Sequence, residues 1–189
     1  MSNEIPLEDP IAQGGMKTAS SLVLVNTGDG KGKSTAAFGT VLRGLALDWP
    51  VAVVQFLKSG DWNTGEEKVL RKLGVDWFAA GDGFTWNSDD LDESKALAQG
   101  AWAKAAELIG SGDYRLVVLD EISYALTWEW IETPPVVAAL VERPERTSVI
   151  LTGRDMKSEI IEVADTVTEM RQVKHAFERK IVAKKGIDY

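Results

Sequence analysis

A glycine- and lysine-rich stretch at residues 26–39 constrains the fold of this chain more than any other segment. It reads Asn-Thr-Gly-Asp-Gly-Lys-Gly-Lys-Ser-Thr-Ala-Ala-Phe-Gly and lies between an apolar run, residues 22–25, and a helix-forming sequence. A strand, a glycine loop and a helix N-terminus in this order form a phosphate cradle, because backbone N–H groups converge there and the helix dipole favours negative charge. The end of the loop, Gly32, Lys33 and Ser34, matches the end of the P-loop motif.

The spacing of this motif is irregular. The pattern G-x-x-x-x-G-K-[ST] places a glycine five positions before Gly32, where this chain has Thr27, and the glycine follows at Gly28. We still predict phosphate binding, since a flexible glycine turn would explain neither the apolar run before the loop nor the hydroxyl pair after it. That pair, Ser34 and Thr35, is expected to cap the helix.

Composition limits the class of protein. The 189 residues fit one domain, which we place at residues 21–189 behind a flexible polar arm at residues 1–20. The net charge of −8 argues against nucleic acid as a partner, because a phosphate backbone attracts a basic surface. No apolar run is long enough to cross a membrane, and no cysteine is present for a disulfide or a thiolate metal site. We therefore expect a cytoplasmic protein.

Apolar runs alternate with helical patterns along the chain. The predicted strands are residues 22–26, 51–56, 75–78, 116–119, 148–151 and 166–170, and the predicted helices are residues 34–47, 65–73, 91–109, 134–141 and 158–163. This order predicts an α/β fold with a mostly parallel sheet covered on both faces. Ligands bind at the carboxyl ends of such strands, so the loops expected to form the site are residues 28–34, 55–63, 120–124 and 152–155.

An acidic pair ends the apolar run that starts at Leu116. Asp120 and Glu121 follow directly on its last apolar residue. In P-loop proteins such a strand delivers an acid to the Mg²⁺ beside the phosphates, and the hydroxyl after the P-loop lysine is a second ligand. We predict that Ser34 binds the metal directly and that Asp120 or Glu121 binds it directly or through water. A strand that ends in solvated acids is the alternative.

Aromatic residues indicate a second ligand. Three of the seven tryptophans are expected to pack on the sheet or a helix: Trp49, Trp77 and Trp102. The other four lie in predicted loops and favour a large, flat, apolar ligand, although core capping is an equal alternative for the last two: Trp62, Trp86, Trp128 and Trp130. The loop at residues 81–87 carries Phe84 and Trp86, and either closes on a ligand or packs on the core. The single histidine, His175, is expected to be structural or solvent-facing.

Together these stretches resemble the ATP:corrinoid adenosyltransferases of the cobalamin pathway, also called cob(I)yrinic acid a,c-diamide adenosyltransferases. The matching segments run in order over residues 21–189. They are Thr-Gly-Asp-Gly-Lys-Gly-Lys-Ser-Thr-Ala-Ala-Phe-Gly (27–39), Val-Val-Gln-Phe-Leu-Lys (53–58), Gly-Phe-Thr-Trp (83–86), Val-Leu-Asp-Glu-Ile-Ser-Tyr (118–124), Thr-Gly-Arg (152–154), Ala-Asp-Thr-Val-Thr-Glu-Met (164–170), Val-Lys-His-Ala-Phe (173–177) and Lys-Gly-Ile-Asp-Tyr (185–189).

The resemblance implies a P-loop NTPase (RecA-like) three-layer fold and a specific reaction. The cobalt(I) of a corrinoid attacks the ribose C5′ of ATP, the adenosyl group moves to cobalt, and tripolyphosphate leaves. The resemblance also implies Mg²⁺ or Mn²⁺, a flavin-type reductant or reductase that supplies cobalt(I), and a homodimer. In this family ATP lies across the loop in an unusual direction, and we connect the shifted glycine with that direction.

The same resemblance assigns roles to individual residues. The triphosphate would be bound by the loop, with Lys33 as the main charge: Gly28, Asp29, Gly30, Lys31, Gly32, Lys33, Ser34 and Thr35. Arg43 and Arg154 would lie near the nucleotide. Ser34 and Glu121 would hold Mg²⁺, with Asp120 as a further candidate. A carboxylate at position 29 is a departure, because the family commonly has a neutral residue there; it would point outward or meet a cation.

The resemblance gives Phe84 and Trp86 a catalytic role. They match aromatic residues that crowd the lower face of the corrinoid and would displace its lower axial ligand. Loss of that ligand raises the reduction potential of cobalt(II), so that a flavin-type donor can form cobalt(I). The N-terminal arm lacks the long basic helical segment that some relatives fold over the site, so how this chain covers its corrinoid stays open.

Two other functions stay open on the sequence. An ordinary P-loop ATPase or small-molecule kinase would release ADP rather than tripolyphosphate. A non-catalytic, ATP-dependent corrinoid carrier would deliver adenosylated product to another enzyme.

Overall fold

Helices and strands alternate along the described chain. The structure, a computed structural model, describes residues 18–57, 65–79 and 91–188. Its strands are Val23–Thr27 (β1), Val51–Gln55 (β2), Asp76–Ala79 (β3), Leu116–Asp120 (β4), Ser148–Thr152 (β5) and Thr166–Glu169 (β6). Its helices are Lys33–Leu45 (α1), Gly65–Lys72 (α2), Leu91–Ser111 (α3), Ile122–Thr127 (α4), Thr133–Val141 (α5) and Ser158–Val163 (α6), and a 3-10 helix spans Ala176–Arg179. The loop predicted at residues 81–87 and most of the predicted arm, residues 1–17, lie outside the described residues.

The strands of the described chain form one parallel sheet in the order β3-β2-β4-β5-β1-β6. β5 lies between β1, which leads into the glycine loop, and β4, which leads into the acidic pair. The register places Gln55 beside Asp120 and Asn26 beside Thr152 at the carboxyl edge. The predicted parallel α/β fold is therefore confirmed, and the carboxyl ends of β1, β2, β4 and β5 lie at one edge of the sheet.

Alternate residues of the central strands pack against opposite helical layers. In β4, Val117 and Leu119 join the core beneath α3, α4 and α5, whereas Leu116 and Val118 join the core beneath α1 and α2. All four side chains are buried. Burial on both faces explains why β2 and β4 read as continuous apolar runs rather than as alternating ones. The arrangement is the expected three-layer fold of P-loop NTPases, with a glycine loop between β1 and α1.

The three tryptophans predicted to pack on the core do so. Trp77 is 4% exposed, and its ring lies 5.3 Å from the ring of Phe38 on α1. Trp49 packs against the core beneath α1, and Trp102 packs against the core beneath α3. Large apolar rings thus fill the space between the sheet and both helical layers, as their burial free energy favours.

The helix α4 is the main element that the sequence pattern missed. Residues 120–124 were expected to form a loop, but Ile122–Thr127 is helical and buries Ile122, Ala125 and Leu126 against β5 and the core. A helix this short is stabilised by tertiary packing rather than by propensity, so its sequence carries little local signal. Among the residues described, none of the helices has both the length and the apolar character needed to cross a bilayer.

Leu119→Ala is expected to lower the free energy of unfolding by about 2–5 kcal/mol, because Leu119 is fully buried in a central strand and its truncation leaves a cavity. Leu97→Ala is the matched control, since Leu97 is 43% exposed on α3. We expect the control to stay within about 0.5 kcal/mol of the parent protein. Chemical denaturation measures both, and equal losses would contradict the assigned core.

Candidate nucleotide-binding site

The backbone that follows β6 packs directly on the glycine loop. The Gly30 N–H donates to the Met170 carbonyl over 2.6 Å, and the Met170 N–H donates to the Thr27 carbonyl over 2.8 Å. A Cβ atom at Gly28 or Gly30 would lie 2.6 or 2.7 Å from the Met170 carbonyl oxygen, which is closer than real Cβ atoms approach. Gly28 also has a φ of +90°. Both glycines are therefore required by a close approach between two backbone segments.

Thr27 gives a structural reason for the irregular motif. It is the last residue of β1 and is 8% exposed. Its Oγ1 accepts a hydrogen bond from the Met156 N–H over 3.4 Å. Because Thr27 still belongs to the sheet and packs there, the turn of the loop begins one residue later, at Gly28.

The N-terminus of α1 is uncapped. The helix begins at Lys33, behind Gly32 at φ +111°, and the N-cap position is thus a glycine with no side chain to cap the helix. The prediction that Ser34 and Thr35 cap the helix is wrong, because both residues lie inside the first turn. The first N–H groups of a helix lack partners within it, and this first turn holds no acidic residue. The helix end is therefore suited to bind an anion such as phosphate.

The Lys33 ammonium lies within the curve of the loop. Its Nζ donates to the carbonyl oxygens of Gly28 over 2.7 Å and Gly30 over 2.8 Å. Burial lowers the pKa of Lys33, and the positive charge of Arg154 lowers it further, while the carboxylates of Glu121 and Asp29 oppose the shift. A cation is thus fixed at the place where the motif predicts one.

Asp120 is a buried carboxylate at the end of β4, 1% exposed. Its Oδ1 accepts a hydrogen bond from Thr152 Oγ1 over 2.7 Å, and its Oδ2 accepts one from Gln55 Nε2 over 3.1 Å. Burial raises the pKa of Asp120, and interactions with the Thr152, Ser34 and Gln55 side chains oppose that rise. The carboxylate thus joins the ends of β2, β4 and β5 to the first turn of α1.

Glu121 lies beside this network in a constrained backbone conformation. Its φ is +60°, and its N–H donates to Thr152 Oγ1 over 2.9 Å. Burial, followed by the negative charge of Asp120, raises the pKa of Glu121 to about 7, although Lys33 and Arg154 oppose the shift. Left-handed backbone at a non-glycine residue is uncommon and is typical of functional turns.

Arg154 and Asp29 face each other across the entrance of the site. The Arg154 Nε lies 4.0 Å from the Asp29 Oδ1, and both side chains are substantially exposed. Asp29, the residue that departs from the family pattern, therefore meets a cation, which was one of the two expected outcomes. Such an exposed pair contributes little stability, so both groups remain free to respond to a charged ligand.

The end of the described chain also reaches the loop. The Lys31 ammonium donates to a carboxylate oxygen of Asp188, whose other oxygen accepts from the Lys184 N–H over 2.7 Å. His175 is structural, as expected, because its Nδ1 accepts from the Phe177 N–H and caps the 3-10 helix. Lys31 is thus occupied by a partner outside the loop, unlike Lys33.

Not every predicted residue is brought to the loop. Arg43 lies exposed in the last turn of α1, about 15 Å along the helix axis from Lys33 at 1.5 Å per residue. Thr35 is exposed beside Phe38 and lines a cavity between α1 and α2 of about 500 Å³. Phe84 and Trp86 lie outside the described residues, so their predicted contacts stay predictions.

The tryptophans after α4 form part of an aromatic group. The ring of Trp128 lies 5.5 Å from that of Tyr124 and 4.8 Å from that of Trp130. Trp130 packs on the core beneath α3, which favours core capping for this residue. Burial raises the pKa of the Tyr124 hydroxyl, the negative charge of Glu121 raises it further, and Arg154 opposes the shift, so the Tyr124 end of the group lies nearer the site.

Thr152 and Gln55 are site residues to which the sequence analysis gave no role. Both are polar residues at the carboxyl end of an apolar run, which is the signal that singled out Asp120. The loops that they begin were expected at the site, yet a lone threonine or glutamine there carries no motif. Only the register of β2 and β5 against β4 shows that both side chains reach Asp120.

The donor set at this edge fits Mg²⁺ rather than a softer metal. Ser34, Asp120 and Glu121 offer only oxygen atoms. In the described residues, no group of three histidine, aspartate or glutamate side chains could hold a metal alone. Mg²⁺ is commonly bound by one or two carboxylates together with substrate phosphates and water. The set therefore fits a metal that binds together with a triphosphate.

Comparison with known proteins identifies the family. The sequence model of the ATP:corrinoid adenosyltransferases BtuR/CobO/CobP matches residues 19–189. The chain belongs to this family. It is 46% identical over 172 residues to a corrinoid adenosyltransferase of Sinorhizobium sp., covering 89% of this chain and 80% of that protein. It is 43% identical over 185 residues to a corrinoid adenosyltransferase of Pseudomonas aeruginosa, covering 97% of this chain and 90% of that protein.

One solved structure has a low overall similarity to this chain. The genome packaging NTPase B204 from Sulfolobus turreted icosahedral virus 2, in complex with AMP, has a TM-score of 0.48 at 16% identity. The match covers 86% of this chain and 81% of that chain.

Gly30→Ala is expected to weaken ATP binding at least tenfold and to destabilise the protein by about 1–3 kcal/mol, because the new Cβ would collide with the Met170 backbone. Gly100→Ala on α3 is the matched control, since its added Cβ meets no described atom within 4 Å beyond its chain neighbours and its own helix backbone. We expect the control to keep full ATP affinity. Calorimetric titration with ATP measures both, and unchanged affinity in Gly30→Ala would contradict the backbone contact.

Glu121→Gln is expected to stabilise the metal-free protein at high pH. The pKa of Glu121 rises from 4.5 to about 7 on folding, so the folded state holds more protons between these values and loses stability as the pH increases through them. The variant removes this loss, which amounts to at most about 3 kcal/mol above pH 7 and little near pH 4.5.

Denaturation in EDTA at pH 5 and pH 8 tests this prediction. The exposed Glu142→Gln is the control and should show no comparable gain. A Glu121→Gln protein that gains nothing between the two pH values would refute the assigned burial of the carboxyl group.

Proposed function

We propose that this protein is an enzyme that transfers the 5′-deoxyadenosyl group of ATP to the cobalt(I) of a corrinoid, in the synthesis or salvage of adenosylcobalamin. The electron pair of cobalt(I) forms the cobalt–carbon bond while the bond between C5′ and the triphosphate oxygen breaks. Tripolyphosphate leaves with the electron pair of that bond. The observation that carries the proposal is the family match over residues 19–189, on a chain whose phosphate loop and acidic pair share one sheet edge.

The loop would act on the leaving group in this reaction. Negative charge builds on the triphosphate oxygen as its bond to C5′ breaks, so fixed positive groups lower the barrier. The Lys33 ammonium and the uncapped N-terminus of α1 are two such groups. Arg154 lies close enough to influence Lys33 and Glu121, which supports a role beside the nucleotide.

Ser34 and Glu121 would hold Mg²⁺ or Mn²⁺. The metal would supply Lewis-acid stabilisation of charge on the triphosphate oxygens. Asp120 would support it through water, because this carboxylate is fully buried and already accepts hydrogen bonds from Thr152 and Gln55. Among the described residues, the Glu121 carboxylate has no such set of donors, which supports its direct contact with the metal.

The corrinoid would bind against the loop that carries Phe84 and Trp86. These residues would crowd the lower face of the corrinoid and displace its axial ligand, so that a flavin-type reductant or reductase can form cobalt(I). We also propose that ATP lies across the loop in the family's unusual direction, and that the turn that starts at Gly28 rather than at position 27 favours this direction. A homodimer, a cytoplasmic location and one domain over residues 21–189 complete the proposal.

Product analysis tests the reaction. The protein is incubated with ATP, Mg²⁺ and chemically reduced corrinoid. We expect the absorbance of an alkylated cobalt product together with tripolyphosphate. Formation of ADP without that product would show an ATPase or kinase instead, and product that never exceeds one equivalent of protein would show a carrier. Neither alternative is favoured by the names of the curated relatives.

Lys33→Ala is expected to reduce adenosyl transfer by about 10²–10³-fold and to weaken ATP binding, because it removes the charge at the centre of the loop. Lys104→Ala is the matched control, since Lys104 lies on α3 beside Phe78 and Glu107, away from the loop. Steady-state transfer with chemically formed cobalt(I) measures both. A Lys33→Ala protein as active as the control would exclude the loop from the reaction.

Trp86→Ala separates the two substrates. We expect it to keep the ATP affinity of the parent protein, because its role is at the corrinoid, and to lose activity when cobalt(II) and a reductant are supplied. Calorimetric titration with ATP and the coupled reduction assay measure the two effects. Loss of ATP binding would place this residue at the nucleotide instead.

A further inference from the structure

Gln55 is a buried polar residue at the end of an apolar strand. The four residues before it in β2 are at most 1% exposed, and Gln55 itself is 6% exposed. The amide lies at the carboxyl edge of the sheet, in register with Asp120 on β4. An apolar side chain would fill this place without the cost of removing an amide from water, so the position calls for a chemical reason.

Only half of this amide has a partner. The Gln55 Nε2 donates to Asp120 Oδ2 over 3.1 Å, whereas the Oε1 has no hydrogen-bond partner among the described residues. The opposite orientation would place the Oε1 against the Asp120 Oδ2, and two acceptor oxygens cannot form a hydrogen bond with each other. The orientation of the amide is therefore determined by Asp120, and a free acceptor is left at the site.

The place of this acceptor at the proposed metal site suggests its partner. Gln55 donates to Asp120 at the carboxyl edge of the sheet, and the Ser34 side chain, the proposed metal ligand, lowers the pKa of the same carboxyl group. A magnesium ion at Ser34 keeps several bound water molecules, and each needs acceptors for its polarised O–H groups. Side chains that accept from such waters orient the metal and strengthen its binding.

We propose that Gln55 is a positioning residue whose Oε1 accepts a hydrogen bond from a water molecule bound to the nucleotide-associated Mg²⁺. The proposal rests on the proposed metal site at Ser34 and Glu121. It assigns two tasks to one amide: the Nε2 orients the Asp120 carboxylate, and the Oε1 holds the hydration shell of the metal. Gln55 would touch neither the ribose C5′ nor the cobalt.

Two substitutions separate these tasks. Gln55→Met removes both the donor and the acceptor at similar length. Gln55→Glu removes the donor to Asp120 but keeps an acceptor oxygen for water. Gln99→Met is the matched control, because Gln99 lies exposed on α3 with its Nε2 on the Trp130 carbonyl.

The measured quantity is the affinity for Mn²⁺ of the complex between the full-length protein and ATP. The electron paramagnetic resonance signal of free Mn²⁺ reports how much metal stays unbound. We expect Gln55→Met to weaken Mn²⁺ binding by about tenfold or more. Gln55→Glu is expected to stay within about threefold of the parent protein, and Gln99→Met to match it. ATP affinity in EDTA should not change in any variant, because the proposed water exists only with the metal.

Three outcomes would overturn the proposal. Mn²⁺ affinity that falls equally in Gln55→Met and Gln55→Glu would show that Gln55 acts only by supporting Asp120. Unchanged Mn²⁺ affinity in Gln55→Met would exclude contact with the hydration shell. A loss of ATP affinity in EDTA would assign the acceptor to the nucleotide. If Gln55→Met does not fold, Gln55→Leu takes its place. If neither variant folds, Gln55→Glu is compared with the parent protein alone, and Mn²⁺ binding weakened tenfold in Gln55→Glu would overturn the proposal.

The measurement needs no corrinoid. If the parent protein transfers no adenosyl group but the Gln55 variants change Mn²⁺ affinity as expected, the proposed reaction is refuted and the role of Gln55 stands. If the parent protein transfers the adenosyl group but Gln55→Met leaves Mn²⁺ affinity unchanged, the role of Gln55 is refuted and the proposed reaction stands.

Discussion

The buried carboxylate of Asp120 is the interaction on which the site depends. A charge removed from water is costly unless hydrogen bonds replace its hydration. Here Thr152 on β5 and Gln55 on β2 supply those bonds, and the Ser34 side chain on α1 also favours the charged form. The requirement to satisfy one carboxylate thus fixes the positions of three neighbouring elements, and the metal-binding hydroxyl proposed for Ser34 is oriented by the same contact.

Close backbone packing provides the second constraint. Met170 and the residue after it lie against Gly28 and Gly30 so tightly that no side chain fits at either glycine. The loop is therefore shaped before any ligand binds, and Lys33 is directed into it by two carbonyl groups. Preorganised positive charge of this kind is effective for a leaving group, because no reorganisation is needed as the charge develops.

The interactions that lower the stability of the folded state are concentrated around the acidic residues of the site. Glu121 combines a left-handed backbone, burial and a neighbouring carboxylate, each of which disfavours the folded state. The Oε1 of Gln55, which has no hydrogen-bond partner in the part of the chain that the structure describes, adds to that cost. Strain and unsatisfied groups that persist in a folded protein are typical of sites where a ligand offsets them. Here the ligand would be a metal that binds together with a triphosphate.

The sequence by itself determined the layer architecture and the place of the site. The spacing of apolar residues and the glycine loop are local signals, so the parallel sheet and the strand ends could be predicted from them. The same signals placed Lys33, Ser34, Asp120 and Glu121 at one edge of the sheet, where their proposed roles stay predictions. Tertiary structure decided what depends on contacts between distant segments. These are the helix α4, the uncapped start of α1, the backbone contact of Met170 and the roles of Thr152 and Gln55. Such features come from packing and strand register, which join residues far apart in the chain and leave no mark in the local pattern.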